Sequence, residues 1–507
     1  MKWGEGMANT LVETRYGKLQ GSKNGSVYCW KGVPYAKAPV GELRFQPPQP
    51  PEPWTGVRDA TKFGSVAMQP ADALFGGGLG RVAESGSEDC LFLNIWSSGA
   101  DGKKRPVMVW IHGGAFLFGS GSMPWYDGTQ FAKHGDVVVV TINYRLNVFG
   151  FLHLVDLFGE DYAASGNCGI LDQIAALRWV QENIEAFGGD PKQVTIFGES
   201  AGAASVGTLL AMPEAKGLFQ KAILQSGSGA LLLNSAAKAS VMAEKILHQA
   251  GIRPGDRDRL LTIPAEQLLQ AALSLGSQVS YGPVVDGKAL PHHPIEALKE
   301  GAARDIPILI GVTKDEYNLF AITDPTWTTL SEQQLLQRIY REVGPVPQQV
   351  VDYYLHAGDE SEPTWQKLLR IMTYRVFTNG MLRTADYQVE QGAKVWMYRF
   401  DYETPVLGGK LKACHTLELP FVFANLHQPG IANFTGDSPN RERISKQMHH
   451  AWISFARSGD PNHDSLPEKW QAYDFGKRAV MIFDASSHVA ENPFGKERAV
   501  WETSIAK

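Results

Sequence analysis

The sequence predicts an α/β architecture, a large and mostly parallel central sheet flanked by helices, and three observations carry that prediction. Short apolar, β-branched runs such as residues 106–111, 137–140 and 306–312 alternate with stretches of helical periodicity, the mark of strand–helix–strand units. The runs are apolar throughout rather than at every second residue, as strands covered on both faces must be. One of them, Val194-Thr195-Ile196-Phe197, feeds into Gly198-Glu199-Ser200-Ala201-Gly202 and then into small residues that continue as a helix.

Taken in order, residues 11–16 and 27–33 read as strands of a hairpin-like N-terminal sheet, followed by a proline-punctuated extended segment to Phe45 and beyond. Residues 68–86 hold Gly76, Gly77, Gly78 and Gly80, which predicts an irregular loop, either plain surface or the rim or lid of a site. Strands follow at 91–96, 106–112 and 137–143. A helix then opens near Asn167, carries Asp172 in its early turns, and places Ile174, Leu177, Val180 and Ile184 at helical spacing. Gly188-Gly189-Asp190-Pro191 ends it. After the serine come a strand at 221–226, helices over 236–275, a buried strand at 306–312 and a long helical stretch over 330–392. A strand at 395–400, a last helix with Ile444, Met448, Trp452 and Phe455 on one face, and a closing strand at 480–483 complete the chain. No repeat or low-complexity linker divides it, so one catalytic domain over 1–507 is expected, with a helical insertion at approximately 320–392.

The Gly-x-Ser-x-Gly turn makes Ser200 the candidate nucleophile, because a sharp strand-to-helix corner lifts one hydroxyl above the end of the sheet. The glycines at 198 and 202 remove the Cβ atoms that would keep strand and helix apart. Upstream, His112-Gly113-Gly114-Ala115-Phe116 follows a strand and supplies backbone N–H groups that can converge on a developing oxyanion. Such a donor is typically worth about 3 kcal/mol in the transition state. Downstream, Asp315 and Glu316 stand at the carboxyl end of a buried strand, where this architecture places a catalytic acid. Position alone does not choose between them. Of thirteen histidines, His415 comes after the acids, on a loop behind a glycine pair, with Glu418 three residues on. Nucleophile, acid and base then follow the chain order of α/β-hydrolases. A serine hydroxyl is a poor nucleophile until a neutral imidazole takes its proton, and a buried carboxylate orients that imidazole and stabilises its cation.

Composition excludes other classes. A net charge of −5 with a pI near 6.2 gives no reason to expect nucleic acid or an anionic membrane as partner. The longest apolar runs are strand-sized, so no membrane span is expected. Residues 1–9 lack the charged and apolar regions of a leader peptide, which predicts a cytoplasmic protein. Cys29, Cys90, Cys168 and Cys414 are scattered and read as reduced thiols, and no metal-ligand spacing occurs. No cofactor and no metal are expected, and the partners are small-molecule esters met by a monomer.

These motifs together resemble the type-B carboxylesterases, the α/β-hydrolase family of cholinesterases and bacterial para-nitrobenzyl esterases, the latter being the nearer likeness. The resemblance rests on Lys31-Gly32-Val33-Pro34-Tyr35-Ala36, Pro39-Val40-Gly41-Glu42-Leu43-Arg44-Phe45, Ser87-Glu88-Asp89-Cys90-Leu91-Phe92-Leu93-Asn94, the 112–116 and 198–202 motifs, Asp315-Glu316 and His415-Thr416-Leu417-Glu418-Leu419-Pro420-Phe421. It implies Glu316 rather than Asp315 as the acid, His415 as the base, and the N–H groups of Gly114, Ala115 and Ala201 as oxyanion donors. It further implies ion pairs Arg44–Glu88 and Arg145–Asp172 as scaffold. Glu199 and Glu418 would face the gorge and tune the field at His415, the alternative being two solvent-exposed carboxylates.

Departures from the family are informative too. Secreted members pair the cysteine matching Cys90 with one upstream, where this chain has Met68, which leaves the intervening loop unstapled. No Trp lies between Trp54 and Trp96, so the aromatic platform for a quaternary ammonium is missing and choline esters are not expected substrates. Cys414, beside His415, reads as a packed thiol because neighbours in an extended loop point apart. The expected activity is serine carboxylesterase on short to medium acyl esters through an acyl-enzyme. The alternatives are a lipase for longer chains and, with the triad intact a poorer fit, a non-catalytic adhesion-type relative.

Overall fold

Strand segments apolar on every residue must be covered on both faces, and the computed structural model, which describes residues 10–70, 86–357 and 360–505, shows how they are covered. The main sheet of the described residues contains β1 (Ser22–Asn24), β2 (Val27–Pro34), β3 (Phe92–Ser97), β4 (Arg105–Ile111), β5 (Val138–Ile142), β6 (Gly189–Glu199), β7 (Lys221–Gln225), β8 (Ile308–Thr313), β9 (Val395–Phe400), β10 (Ala479–Phe483) and β11 (His488–Glu491). Their spatial order is β11-β10-β9-β8-β7-β6-β4-β5-β3-β2-β1. The run from β10 to β5 is parallel, and the outer strands at each edge are antiparallel. This is the α/β-hydrolase arrangement.

Alternate residues of each strand enter different cores. Val107, Val109 and Ile111 pack into one apolar cluster, while Met108 and Trp110 pack into the other, and all five are fully buried. Helices Cys168–Asn183 and Asn440–Ser458 contribute to opposite clusters, the first through Ile170, Ile174 and Leu177, the second through Ile444, Met448 and Trp452. The chain leaves β4 for β5 on one side and returns to β6 on the other. That reversal opens a crevice at the carboxyl ends of β4 and β6, where ligands of open α/β sheets bind.

Two sequence expectations need correction. Residues 11–14 pair with 17–20, which pair with 57–59, in a separate small sheet, whereas Val27–Pro34 joins the main sheet beside β3. The reason is burial: β2 carries apolar groups on both faces, with Trp30 and Val33 fully buried, and an outlying hairpin could not cover them. The strand over 480–483 is not the last, because β11 and helix Gly495–Ile505 follow. β11 is an exposed edge strand without an apolar run, so it left no signal, while the helix is fastened by Trp501 stacked 5.2 Å from Tyr374. Residues 68–86, expected to form either a plain surface loop or a rim or lid, fall mostly outside the described residues.

Between β8 and β9 the chain makes helices Asn318–Thr323, Glu332–Val343, Gln348–His356, Thr364–Thr373 and Asn379–Glu390, the last two joined by a π-helical turn, Tyr374–Thr378. These helices deliver side chains to the crevice.

Candidate active site

Ser200 sits between β6 and helix Ala201–Ala211 with φ 56° and ψ −120°. A non-glycine residue there costs on the order of 1–3 kcal/mol and must be held by its surroundings. Two hydrogen bonds hold it: Ser200 N donates to Gln225 O at 2.9 Å, and Ala204 N to Ser200 O at 2.9 Å. The flanking glycines are obligatory, since a Cβ at Gly202 would lie 2.0 Å from Ile111 O and one at Gly198 would lie 2.6 Å from the Gly202 carbonyl carbon. The corner therefore packs directly onto the end of β4.

The loop after β4 lies against this corner, for a Cβ at Gly113 would meet Ser200 Cβ at 3.2 Å. Ala115 and Phe116 both adopt positive φ, 54° and 56°. Gly114 O accepts from Leu117 N at 2.9 Å and from Phe118 N at 3.1 Å, which fixes the peptide plane that carries the Ala115 N–H. Ala201 is the first helical residue, so its N–H has no acceptor within its own helix.

On the other side, Glu316 and His415 are brought together from 99 residues apart, with His415 Nδ1 2.6 Å from Glu316 Oε2. Thr313 N donates to Glu316 Oε1 at 2.8 Å, so both carboxylate oxygens are used and Glu316 is fully buried. Asp315, the alternative acid, faces elsewhere: its Oδ2 is buried without a partner, and burial pushes its carboxyl up to about 6 against the pull of Lys314 and Arg370. The aromatic rings of Phe377 and Phe320 lie 4.8 Å and 5.4 Å from the His415 ring. Sequence reasoning missed both. Phe320 lies four residues past Glu316, on the short helix that follows the acid strand, whereas Phe377 comes from the π-helical turn and left no signal.

His415 Nε2 is 3.1 Å from Glu199 Oε1, and the hydrogen-bonded pairs of the described residues do not include Ser200 Oγ with His415. Catalytic hydrogen bonds are often long in the absence of substrate and tighten when it binds. Glu199 and Glu418 are 2% and 0% exposed, which rules out the reading of two solvated carboxylates. Glu199 lines the cleft beside Gly113, Gly114, Phe118 and Tyr126. Glu418 lies a layer deeper, accepting from Gln225 Nε2 at 3.1 Å, and Gln225 Oε1 accepts in turn from Trp452 Nε1 at 2.9 Å. Burial first, then the Glu316 carboxylate, holds Glu199 well above the usual carboxylate range. Glu418 is pushed up to about 8 by burial and then by Glu199 and Glu316.

The remaining sequence-predicted positions fall into place as scaffold. Arg145 grips Asp172 through Nε at 2.8 Å and Nη2 at 2.7 Å, both residues buried, and Arg44 makes a two-point pair with Glu88. The four cysteines are buried and unbridged. Burial raises the Cys414 thiol well above its ordinary value, so the thiolate is disfavoured despite the neighbouring imidazole. Among the described residues no three His, Cys, Asp or Glu side chains cluster in a way that could hold a metal ion. No described helix is long and apolar enough to cross a membrane.

The model of the carboxylesterase family matches residues 8–501. A para-nitrobenzyl esterase of Bacillus subtilis (strain 168) is 42% identical over 504 residues, covering 97% of this chain and 98% of its own. A phenmedipham hydrolase of Pseudarthrobacter oxydans is 35% identical over 497 residues, with 95% and 97% covered. Among solved structures, a carboxylesterase of Geobacillus stearothermophilus at pH 6.2 superposes with a TM-score of 0.91 at 68% identity, over 97% of this chain and all of that one.

Proposed function

The chain belongs to the carboxylesterase family, and we propose that Ser200 is its nucleophile, His415 its general base, Glu316 the acid that orients the base, and the N–H groups of Gly114, Ala115 and Ala201 its oxyanion hole. The observation that carries this reading is the 2.6 Å contact between His415 Nδ1 and Glu316 Oε2, next to a serine held in a strained strand-to-helix corner. The protein is a carboxylic ester hydrolase, and the reaction follows from the arrangement.

As the ester carbonyl reaches Ser200, His415 Nε2 accepts the serine proton, and Oγ bonds to the carbonyl carbon. The oxygen becomes an anion facing three N–H groups that need no reorganisation to receive it. His415, now a cation braced by Glu316, gives the proton to the leaving alcohol as the tetrahedral intermediate collapses to an acyl-enzyme. Water repeats the cycle, giving up a proton to His415 while it attacks, and the acid leaves with Ser200 restored. Glu199 stands beside His415 Nε2, so the positive charge that forms on the imidazole works against the burial that keeps the Glu199 carboxyl protonated, and Glu418 belongs to the same buried cluster.

The substrates we propose are esters of short to medium acyl chains, hydrolysed in the cytoplasm by one domain over 1–507 whose helical insertion at about 320–392 shapes the pocket. Phe320 and Phe377 favour this, since two rings packed on His415 narrow the site on that side. The test is kcat/KM for p-nitrophenyl esters from acetate to palmitate, with Ser200→Ala alongside. A maximum at short chains, abolished in the variant, is expected; a maximum at long chains that rises on emulsions would favour a lipase.

A further inference from the structure

The oxyanion loop of residues 112–119 is clamped from outside by a side chain to which nothing in the sequence motifs points. Gln69, from the segment that follows the short strand Val66–Ala67, accepts from Gly119 N through Oε1 at 3.0 Å and donates to Gly119 O through Nε2 at 3.1 Å. Its second N–H donates to Ala67 O at 3.0 Å. The carboxamide thus behaves like one rung of a strand, fixing both polar groups of a single backbone residue. Gly119 has φ +111°, and a Cβ there would lie 2.5 Å from His112 Nδ1, so the clamped residue rests directly on the His112 ring.

His112 transmits the constraint. It is 1% exposed and stacked 4.5 Å from Tyr144, whose hydroxyl donates to His112 O at 2.8 Å. His112 Nδ1 donates to Gly113 O at 2.8 Å, while its Nε2 is buried without a partner. Gly113 O belongs to the peptide plane that carries the Gly114 N–H. In a trans peptide the carbonyl and the N–H point in opposite directions, so holding the oxygen aims the hydrogen. Asn147 reinforces the same junction, its Nδ2 donating to Met68 O at 2.6 Å and to Leu117 O at 3.3 Å. Two side-chain amides therefore bind residues 67–69 to the loop.

We propose that Gln69 is a positioning residue for the oxyanion hole, acting through Gly119 and His112 to aim the Gly114 N–H at the developing oxyanion. The proposal rests on the assignment of Ser200 and the Gly114 donor above, and its failure can be told apart from theirs. It assigns Gln69 to the transition state rather than to ground-state binding, because an amide that stays aimed without substrate gains strength only as charge develops.

The experiment compares wild type, Gln69→Ala and Gln69→Glu in full-length protein. Three quantities are read: kcat and KM on p-nitrophenyl acetate, affinity for a trifluoromethyl ketone that forms a tetrahedral oxyanion on Ser200, and the melting temperature. For Gln69→Ala we expect kcat to fall about 10-fold with KM within about twofold, and ketone affinity to fall by the same factor. The folded fraction at assay temperature should be unchanged. Gln69→Glu keeps the acceptor for Gly119 N but loses the donor to Gly119 O, so it should fall between the two. Its activity relative to wild type should rise as the pH is lowered and the carboxylic acid regains an O–H. Unchanged kcat, a rise in KM alone, or a loss of kcat that tracks loss of folded protein with ketone affinity retained would each overturn the proposal. An inactive wild type that fails to form the ketone adduct would instead overturn the assignment of Ser200.

Discussion

The two sides of the catalytic crevice are built on opposite principles. The oxyanion side, residues 112–119, is a local loop in which hydrogen bonds from His112, Leu117, Phe118, Gln69 and Asn147 hold the backbone, and Ala115 and Phe116 are fixed at positive φ. The acid–base side assembles Glu199, Glu316, His415 and Glu418 from distant parts of the chain, buries all four, and leaves Glu199 Oε1 and Glu418 Oε2 without hydrogen bonds. One side is rigid and neutral. The other is a set of desolvated carboxyl groups whose protonation is set by burial. The contrast teaches that geometry is the vulnerable property of the first side and charge that of the second.

The largest expected effect tests charge on the second side. Glu316→Gln keeps the shape but permits the wrong imidazole tautomer, and kcat on p-nitrophenyl acetate should drop by about 10⁴ with the fold intact by circular dichroism. Next comes geometry on the first side. Gly119→Ala forces a Cβ 2.5 Å from His112 Nδ1, and kcat should fall by about 10²–10³, the loss typical of one misplaced oxyanion donor. A charge-preserving substitution harming the oxyanion side more than the acid–base side is the signature that separates the two. Glu199→Gln removes the carboxylate 3.1 Å from His415 Nε2, and a drop in kcat of about 10-fold is expected, with the acid limb of the kcat/KM profile moved to lower pH. A profile identical to wild type would remove Glu199 from the electrostatic account.

Glu418 extends the comparison to stability. Its carboxyl, pushed up to about 8 in the fold, binds its proton more tightly than in the unfolded chain. The stability it contributes is fully present below the ordinary carboxylate range and is lost as pH rises toward 8. Chemical denaturation of wild type between pH 5 and about 8 should therefore show a downward slope of up to about 1.4 kcal/mol per pH unit from this one proton. Glu418→Gln should flatten that slope. The smallest effect is expected for Phe377→Ala, which uncovers one face of His415 and should lower kcat about two- to fivefold while tolerance of bulkier acyl groups increases.

This contrast also explains what the sequence could disclose. The oxyanion loop, the Ser200 corner and the buried strands are local, and each is written in a glycine or an apolar run. The proposed acid–base side is written across 99 residues, so spacing left Asp315 and Glu316 equal; the resemblance favours Glu316, and the 2.6 Å contact with His415 supports that choice. Phe377 and Gln69 were invisible for the same reason, because a ring on a π-helical turn and an amide fifty residues from its partner have no local pattern. The edge strand β11 and residues 57–59 escaped too, since exposed strands carry no apolar run, whereas 11–14 was legible as a strand but not its pairing with 17–20, because pairing partners are a tertiary property.

The most direct test of the central assignment is a pre-steady-state reaction with p-nitrophenyl acetate, read both as released p-nitrophenolate and as the mass of the labelled peptide. The account predicts a burst of one equivalent per chain, with one acetyl group on the peptide bearing Ser200 and neither burst nor label in Ser200→Ala. A burst that survives in Ser200→Ala, or an acetyl group found on Cys414 or any other residue, would contradict it.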